Sequence, residues 1–577
     1  MTAEQNKSFN SRLIAFKIFL CLFVALVILR LFIIAVSDHG YYQALADNQH
    51  NFFQQFAANR GEIFVTDKYS KNAYPVATNA QKNLVYVVPG EIKDYAAATQ
   101  KLSGILSIDQ PTLLAKISDK QKNYIALVHD ITDQQSSQIT AAKIAGVYLS
   151  PEAVRFYPEG NFLSQVLGFT GYSDNSPNIK IGLYGLEKYF QKTLAGTDGQ
   201  VATEADLNGN WIAGANRNFL AAQDGSSLTL TIDRSIQYQA EKVLSAAVQK
   251  HGADSGSVIV ANPKTGAILA IANYPSFDPN NYGQTKDLSN FIDAATTENY
   301  EPGSTMKAVT LGGALDQGLI TPQTTFQDSG EVDIAGYKIQ NSDHKVHGLT
   351  TMTEVLDHSL NTGAIWVEQQ LGNDKFSSYL KKFGFGHATN VELPEAAGDI
   401  SNVSKSNDPQ INFYTAAFGQ GITVTPIQMI QAYDPLANKG QMMQPYLVDS
   451  ITSADGKTVT KISPKIETQV ISQSAATLMT AMLVDDVENG YGKAAGVKGY
   501  YIAGKTGTAQ VAGNGGYVAN DNIGSFVGYG PAQDPQFLML VNINHPRDVN
   551  FAETTAAPAF GEIANFILNY YQIKPTR

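Results

Sequence analysis

Residues 255–275 read SGSVIVANPKTGAILAIANYP. Two runs of β-branched and small apolar residues flank Pro263 to Gly266, so the pattern predicts two strands joined by a tight turn. Upstream, SLTLTI from Ser227 alternates as a strand, and Arg234 to Lys250 (RSIQYQAEKVLSAAVQK) carries apolar residues at helical spacing. Far downstream, YYIAGKTGTAQ from Tyr500, GSFVGYG from Gly524 and QFLMLVNIN from Gln536 predict three more strands, and a helix from about Ala556 to Tyr571 closes the chain. Strands at both ends around a mainly helical middle predict an α+β domain, a central antiparallel sheet flanked by helices. Residues 37–225 mix short strand-like runs (NLVYVVPG, IAGVYL) with helical stretches, and SDNSPNIKIG from Ser173 reads as an exposed polar loop.

The chain has 577 residues and 44% hydrophobic content, which excludes wholesale disorder. A net charge of -11 argues against a nucleic-acid-binding body. The one cysteine, Cys21, excludes a disulfide framework, a Cys-rich zinc site and a thioredoxin-type centre. Leu13–Val36 reads LIAFKIFLCLFVALVILRLFIIAV, long enough for an uncleaved membrane helix, with Lys17 and Arg30 near its ends where they can snorkel. Lys7, Arg12 and Lys17 precede or open the span, so the positive-inside rule places the N-terminus in the cytoplasm. The expected layout is a cytoplasmic tail at 1–12, a transmembrane helix at 13–36, a non-catalytic pedestal at 37–225 and a catalytic domain at 226–577.

The strongest chemistry lies in ENYEPGSTMKAVTLGGALDQG, residues 298–318. Pro302 and Gly303 break the chain, and a helix is expected from Ser304 to Gly318. Ser304 then occupies the first turn, where free N–H groups and the dipole favour negative charge. Lys307, three residues on, shares its face and is the one charged residue between Thr305 and Leu315. A helix apolar nearly all round is usually buried, and a buried lysine is neutral enough to act as a base toward a serine. Ser359-Leu360-Asn361 follows, its hydroxyl able to relay a proton and its amide able to hold a peptide; the Asn-Thr-Gly that begins there suggests a turn. Lys505-Thr506-Gly507-Thr508 lies in a strand candidate, where a cation and two hydroxyls suit a carboxylate and Gly504 and Gly507 would admit a substrate backbone.

Each motif has a duplicate. Ser378 and Lys381 repeat S-x-x-K on a lysine-rich amphipathic helix, Ser173-Asp174-Asn175 repeats S-x-N in a polar loop, and Lys264-Thr265-Gly266 sits in a hairpin turn. These read as structural, and the ordered triplet S-x-x-K, S-x-N, K-T-G is what carries weight. His344 and His347 form H-x-x-H with no identifiable further ligands, so no metal is expected.

With these motifs the chain resembles the class B penicillin-binding proteins, monofunctional peptidoglycan D,D-transpeptidases. The likeness extends to NRGEIF at Asn59, RFYPEG at Arg155, GLYGLEKYFQKTLAGTDG at Gly182, IDRSIQ, NPKTGAILAIANYPSFDPN at Asn262 and FGQGITVTPIQM at Phe418. The resemblance implies a membrane-anchored, elongated pedestal below a penicillin-binding transpeptidase domain, outside the bacterial plasma membrane. It implies that Ser304 forms the acyl-enzyme, Lys307 deprotonates it and Ser359 relays protons. Asn361 would contact a substrate amide, Lys505, Thr506, Gly507 and Thr508 would surround the substrate carboxylate, and the N–H groups of Ser304 and Thr508 would form the oxyanion hole. Stem peptides and β-lactams are the implied ligands. A membrane glycan polymerase and other division or elongation proteins are the implied partners; no cofactor is implied. The compact C-terminus and the GLYGLEKYFQ run lean toward the septal type, with lateral-wall duty left open. One departure is that Arg60-Gly61-Glu62-Ile63 is followed by FVTDKYSKN, with Asp67 displaced and no Arg-x-Gly. The rival readings are a D,D-carboxypeptidase or β-lactamase with water as acceptor, and a non-catalytic β-lactam sensor or division scaffold.

Overall fold

The computed structural model describes all residues except 1–2, 38–50, 57, 71, 120–121, 123, 174–175, 205–217, 335, 514–515 and 550. The chain falls into two compact units, one from 1–58 with 196–224 and the other from 59–195 with 225–577. In the first, helix α1 (Ala3–Phe32) leads into a short π turn, Ile33–Ser37, and three antiparallel strands lie in the order Asn51–Phe56, Gly199–Glu204, Asn218–Leu220. The expected span 13–36 falls on this helix and turn. Side chains of α1 are described from Phe16 on, and its large apolar groups there, such as Phe19, Leu22 and Leu26, are exposed. Among the described residues no helix is long and apolar enough to cross a membrane.

In the second unit the strand Tyr74–Val87 pairs with Ile63–Thr66, Ile125–Ile131 and Val147–Phe156. Ser227–Asp233 continues that sheet by pairing in parallel with Ile63–Thr66, and Val448–Thr452 pairs with Ser227–Asp233 in turn. One sheet therefore crosses the expected boundary at residue 225, tying the early strands to later chain. The departure after Arg60-Gly61 has a local answer: Asp67 accepts from Tyr69 N at 2.9 Å and Tyr74 Oη at 3.0 Å, and also from Ser70 N, closing the turn. The segment expected as a loop from Ser173 is instead a hairpin of Thr170–Ser173 with Ser176–Gly182. Asp174 and Asn175 of the second S-x-N lie outside the described residues.

The same unit buries a charged cluster. Glu187, fully buried, accepts from Arg60 Nε at 2.5 Å and Arg155 Nε at 2.6 Å. Burial pushes its carboxyl up, and the two guanidinium charges more than offset this, holding it below the usual carboxylate value.

The remaining chain begins with α2 (Arg234–Lys250), capped by Asp233, and the hairpin of β1 (Ser255–Ala261) and β2 (Ile268–Tyr274). A mainly helical stretch follows: α3 (Met306–Asp316), α4 (Met352–Asp357), α5 (Asn361–Leu371), α6 (Asn373–Lys382), α7 (Pro426–Ala437) and α8 (Gln473–Glu488). Strands β3 (Ala503–Gly513), β4 (Gly516–Gly530) and β5 (Phe537–Asn544) and helix α9 (Ala556–Tyr570) end it. The five strands form one sheet in the order β2-β1-β5-β4-β3, antiparallel throughout. Its β5 is buried along its whole length, so both faces are covered: α2 and α9 share one apolar core with Val258, Phe526 and Val541, while α3 and α7 belong to the core on the other side. This leaves β3 at the sheet edge, beside the start of α3.

Candidate active site

Gly303, with φ +56°, is in the left-handed region that favours glycine, and its N–H donates to the Gly419 carbonyl at 3.0 Å. A Cβ on Gly419 would sit 2.1 Å from the Gly303 carbonyl oxygen, so two bare stretches of backbone lie in contact. A 3₁₀ turn, Gly303–Thr305, comes next and only then α3. Ser304 thus sits in a tight turn ahead of the helix rather than in its first α-turn, and α3 ends at Asp316, before Gly318. Tyr433 Oη on α7 donates to the Thr305 carbonyl at 2.7 Å and ties this turn to the core.

Lys307 is wholly buried. Its Nζ donates to the Ser359 carbonyl at 2.6 Å and to Asn361 Oδ1 at 2.8 Å, and lies 3.0 Å from Ser304 Oγ and 3.2 Å from Ser359 Oγ. None of these four partners is a carboxylate. A neutral amine has two hydrogens and one lone pair; the two short acceptors take the hydrogens and leave the lone pair for the Ser304 hydroxyl. Burial, then the charge of Lys505, push Lys307 well below the ordinary lysine value, against an opposing pull from Asp486.

Ser359 occupies the break between α4 and α5 with φ +49°, a conformation that costs a non-glycine residue on the order of 1 kcal/mol. Both its carbonyl and its hydroxyl thereby reach the same Lys307 Nζ. The Asn361-Thr362-Gly363 sequence is the first turn of α5, not a free turn. Thr362 Oγ1 donates to the buried Asp328 at 2.7 Å, and a Cβ on Gly363 would lie 2.6 Å from Val355 Cγ2, so close packing requires glycine there. Asn361 Nδ2 donates to the Gln340 carbonyl at 2.8 Å, on the hairpin Glu331–Ile334 with Tyr337–Gln340, which fixes the amide's orientation.

A cavity of about 760 Å³ opens over these groups, lined by Ser304, Ser359, Asn361, Thr506 and Thr508 among others. Lys505 and Gly507 are not part of its lining. Lys505 is fully buried beneath it, its Nζ 3.1 Å from Asp486 Oδ1 and 3.4 Å from Thr506 Oγ1. A Cβ on Gly507 would meet Ser525 Oγ at 2.5 Å and Pro302 O at 2.8 Å, and one on Gly504 would meet Phe526 Cζ at 2.5 Å. At both positions the chain's own atoms occupy the space that a side chain would take. The nucleophile's nearest acid in sequence, Glu301, accepts from Gly421 N at 3.0 Å and from Tyr517 Oη at 3.1 Å, which occupies it as a strut of the rim.

Two of the three duplicates lie in the surroundings expected of them. Ser378 and Lys381 are exposed on α6, and Lys264 in its hairpin turn pairs with Asp534 at 2.6 Å. His347 Nε2 lies 2.9 Å from Asp343 Oδ2 while His344 Nδ1 is 3.2 Å from Gln340 Oε1. Among the described residues no group of acids, histidines or cysteines could hold a metal. Sequence reasoning missed Asp486 and Asp357, both buried here; the signal was an acid pair, Asp485-Asp486, interrupting the apolar run AATLMTAMLV of α8.

Comparison with known proteins accords with this geometry. Residues 256–565 match the penicillin binding protein transpeptidase domain and 55–230 the penicillin-binding protein dimerisation domain. The chain belongs to the penicillin-binding protein transpeptidase family. It is 33% identical over 574 residues to stage V sporulation protein D of Bacillus subtilis, covering 96% of this chain and 86% of that one. Among solved structures, a peptidoglycan synthetase from Bifidobacterium adolescentis superposes with a TM-score of 0.71 at 27% identity, covering 91% of this chain and 98% of that one. Penicillin binding protein 3 of Mycobacterium tuberculosis in complex with aztreonam gives 0.69 at 25% identity, with 91% and 98% covered.

Proposed function

We propose that this chain is a peptidoglycan D,D-transpeptidase that cross-links stem peptides through a serine acyl-enzyme and is inactivated by β-lactams. The observation that carries the reading is the buried Lys307, 3.0 Å from Ser304 Oγ and hydrogen-bonded to no carboxylate. Lys307 Nζ takes the Ser304 proton as Oγ attacks the carbonyl before a terminal D-Ala. The C–N bond of the tetrahedral adduct breaks, and the leaving amine receives its proton from Lys307 by way of Ser359 Oγ. The amine of a second stem then attacks the ester in the reverse sense. The N–H groups of Ser304 and Thr508 stabilise the oxyanion in both halves. Asn361 holds a substrate amide, and Thr506 and Thr508 with Lys505 behind them receive the terminal carboxylate; Gly507 brings that strand close to Pro302 and so to the nucleophile's turn.

Relatives of this chain carry names such as peptidoglycan D,D-transpeptidase, one at 30% identity in Buchnera aphidicola with 99% of this chain covered. That supports a role in cell-wall synthesis, for which the division septum is the site we propose. The layout we propose is a cytoplasmic tail at 1–12, a membrane anchor at 13–36, a pedestal at 37–225 and the transpeptidase domain at 226–577, outside the plasma membrane, with a glycan polymerase as partner. The apolar exposed side chains of α1 support the anchor.

Ser304→Ala should abolish covalent penicillin labelling while the circular dichroism spectrum is kept. Mass spectrometry of the native chain should find one adduct, on the peptide containing Ser304; an adduct on Ser378 would sink the assignment. The Ser304 adduct should also persist for minutes to hours once free drug is removed. Turnover faster than about once per second, at the low end of ordinary enzyme rates, would make the chain a hydrolase.

A further inference from the structure

Asp486 is the acid that the mechanism leaves unused. It and Lys505 have no exposed surface, and their ion pair of 3.1 Å joins α8 to the edge strand β3. Gly490 and Gly492 wrap the carboxylate: a Cβ on either would lie 2.7 Å from Oδ1 or 2.9 Å from Oδ2. Glycine at both positions is therefore what leaves space for the carboxylate where it meets Lys505. Its Oδ2 has no hydrogen-bond partner among the described residues, so the Lys505 ammonium is its counter-charge. The other groups facing the pair are Lys307 from α3, Asp357 from α4, Asp485 from α8 itself and Tyr433 from α7. Burial, then Asp485, push Asp357 up to about 8, so it keeps its proton at neutral pH. Burial pushes Asp486 only to about 6, with Lys505 pulling the other way, so Asp486 supplies the negative charge.

The geometry assigns Asp486 as a positioning residue: it fixes the Lys505 ammonium beneath Thr506, whose hydroxyl, accepting from Lys505, is left with its own proton to donate to an anion in the cavity. Thr506 Oγ1 is 3.4 Å from Lys505 Nζ, and Thr506 lines the cavity where Lys505 does not. A buried cation that is neither exposed nor free to move can act on a ligand carboxylate only through such a hydroxyl and through its field. The inference rests on the proposed reading that this end of the cavity receives the ligand carboxylate.

The test compares acylation rate constants for benzylpenicillin and for its methyl ester, which lacks the carboxylate, in the native chain, Asp486→Asn, Lys505→Gln and the double variant. Asp486→Asn should slow acylation by benzylpenicillin about 10-fold or more and by the ester less than about threefold, in line with losing a hydrogen bond to a charged group. Equal slowing of both drugs would show a merely structural role and overturn the inference. If Lys505→Gln also slowed both equally, the carboxylate reading itself would fall, and with it the inference. Should Asp486→Asn not fold, the double variant decides against Lys505→Gln alone: rates within about threefold mean that Asp486 acts through Lys505, and a larger loss means that it does not.

Discussion

Two buried clusters in this chain treat positive charge in opposite ways. Around Glu187, two arginines meet a carboxylate at 2.5 and 2.6 Å, and the carboxyl stays ionised although fully buried. Around Lys307, an equally buried cation meets hydroxyls, a carbonyl and an amide, and its proton is held loosely. Both clusters hold their central group by short hydrogen bonds, although Arg155 Nη1 and Nη2 find no partner among the described residues; the difference is whether the acceptor carries a charge. A paired cation is a strut, whereas an unpaired one surrounded by neutral acceptors becomes a base. Arginine suits the first because it stays protonated, and lysine suits the second because burial can neutralise it.

Removing that freedom should have the largest effect. Lys307→Arg keeps the charge and loses the base, so acylation by penicillin should fall on the order of 10² to 10⁴, as for Lys307→Ala. Stopped-flow or gel-based acylation rates check this, and a near-native rate for the arginine variant would leave Lys307 with an electrostatic role only.

Asn361→Asp would turn the Lys307 site into a copy of the Glu187 cluster. A carboxylate 2.8 Å from Nζ should raise the lysine by about 1–3 pH units. The rising limb of the acylation profile, which follows loss of the Lys307 proton, then moves to higher pH. At neutral pH the rate should drop by about 10- to 10³-fold and recover in alkaline buffer. A drop that persists at high pH would mean that the amide itself, not the charge beside the lysine, is what counts.

The opposite swap, Glu187→Gln, strands two guanidinium groups in the interior. Stability should fall by about 3–5 kcal/mol, read from the urea midpoint. A loss below 1 kcal/mol would mean that solvent reaches the arginines.

The smallest effect is expected at Asp357. Its carboxyl is pushed up to about 8 in the folded chain, while an unfolded aspartate titrates near 3.9. Between those values the unfolded chain has shed its proton and the folded chain has not, so this group's contribution to stability is present at low pH and falls as pH rises. Asp357→Asn has no proton to lose. Its melting temperature relative to the native chain should therefore climb from pH 5 to pH 8, by a few degrees. A constant difference across that range would place the Asp357 proton elsewhere.

The sheet was legible because its strands are apolar, β-branched and bounded by turn residues; α2 spans Arg234–Lys250 as its spacing predicts. Lys307 stood out as one charge in an apolar helix. What failed to show were features decided by distant chain. Asn361-Thr362-Gly363 has the composition of a turn, yet Asp328, 34 positions before Thr362, holds it as the start of a helix. Ser176–Gly182 alternates only over Ile179-Lys180-Ile181, too short a run beside Ser, Pro and Asn to outweigh the turn composition. Asp486 pairs with a lysine 19 positions away on another element, beyond any local spacing rule.

The bare contact of Gly303 with Gly419 sets the tolerance to which the nucleophile is seated. A seat made of side chains can be shimmed by a rotamer change, a few tenths of an ångström at a time. A seat made of two backbones offers no such adjustment, because the smallest addition, one methyl on Gly419, already intrudes to 2.1 Å. Catalytic groups lose their alignment beyond about 0.5 Å. Any inherited drift in where Ser304 points must therefore enter through the elements that hold this seat from behind, such as the Tyr433 bond to Thr305, and not through the seat itself.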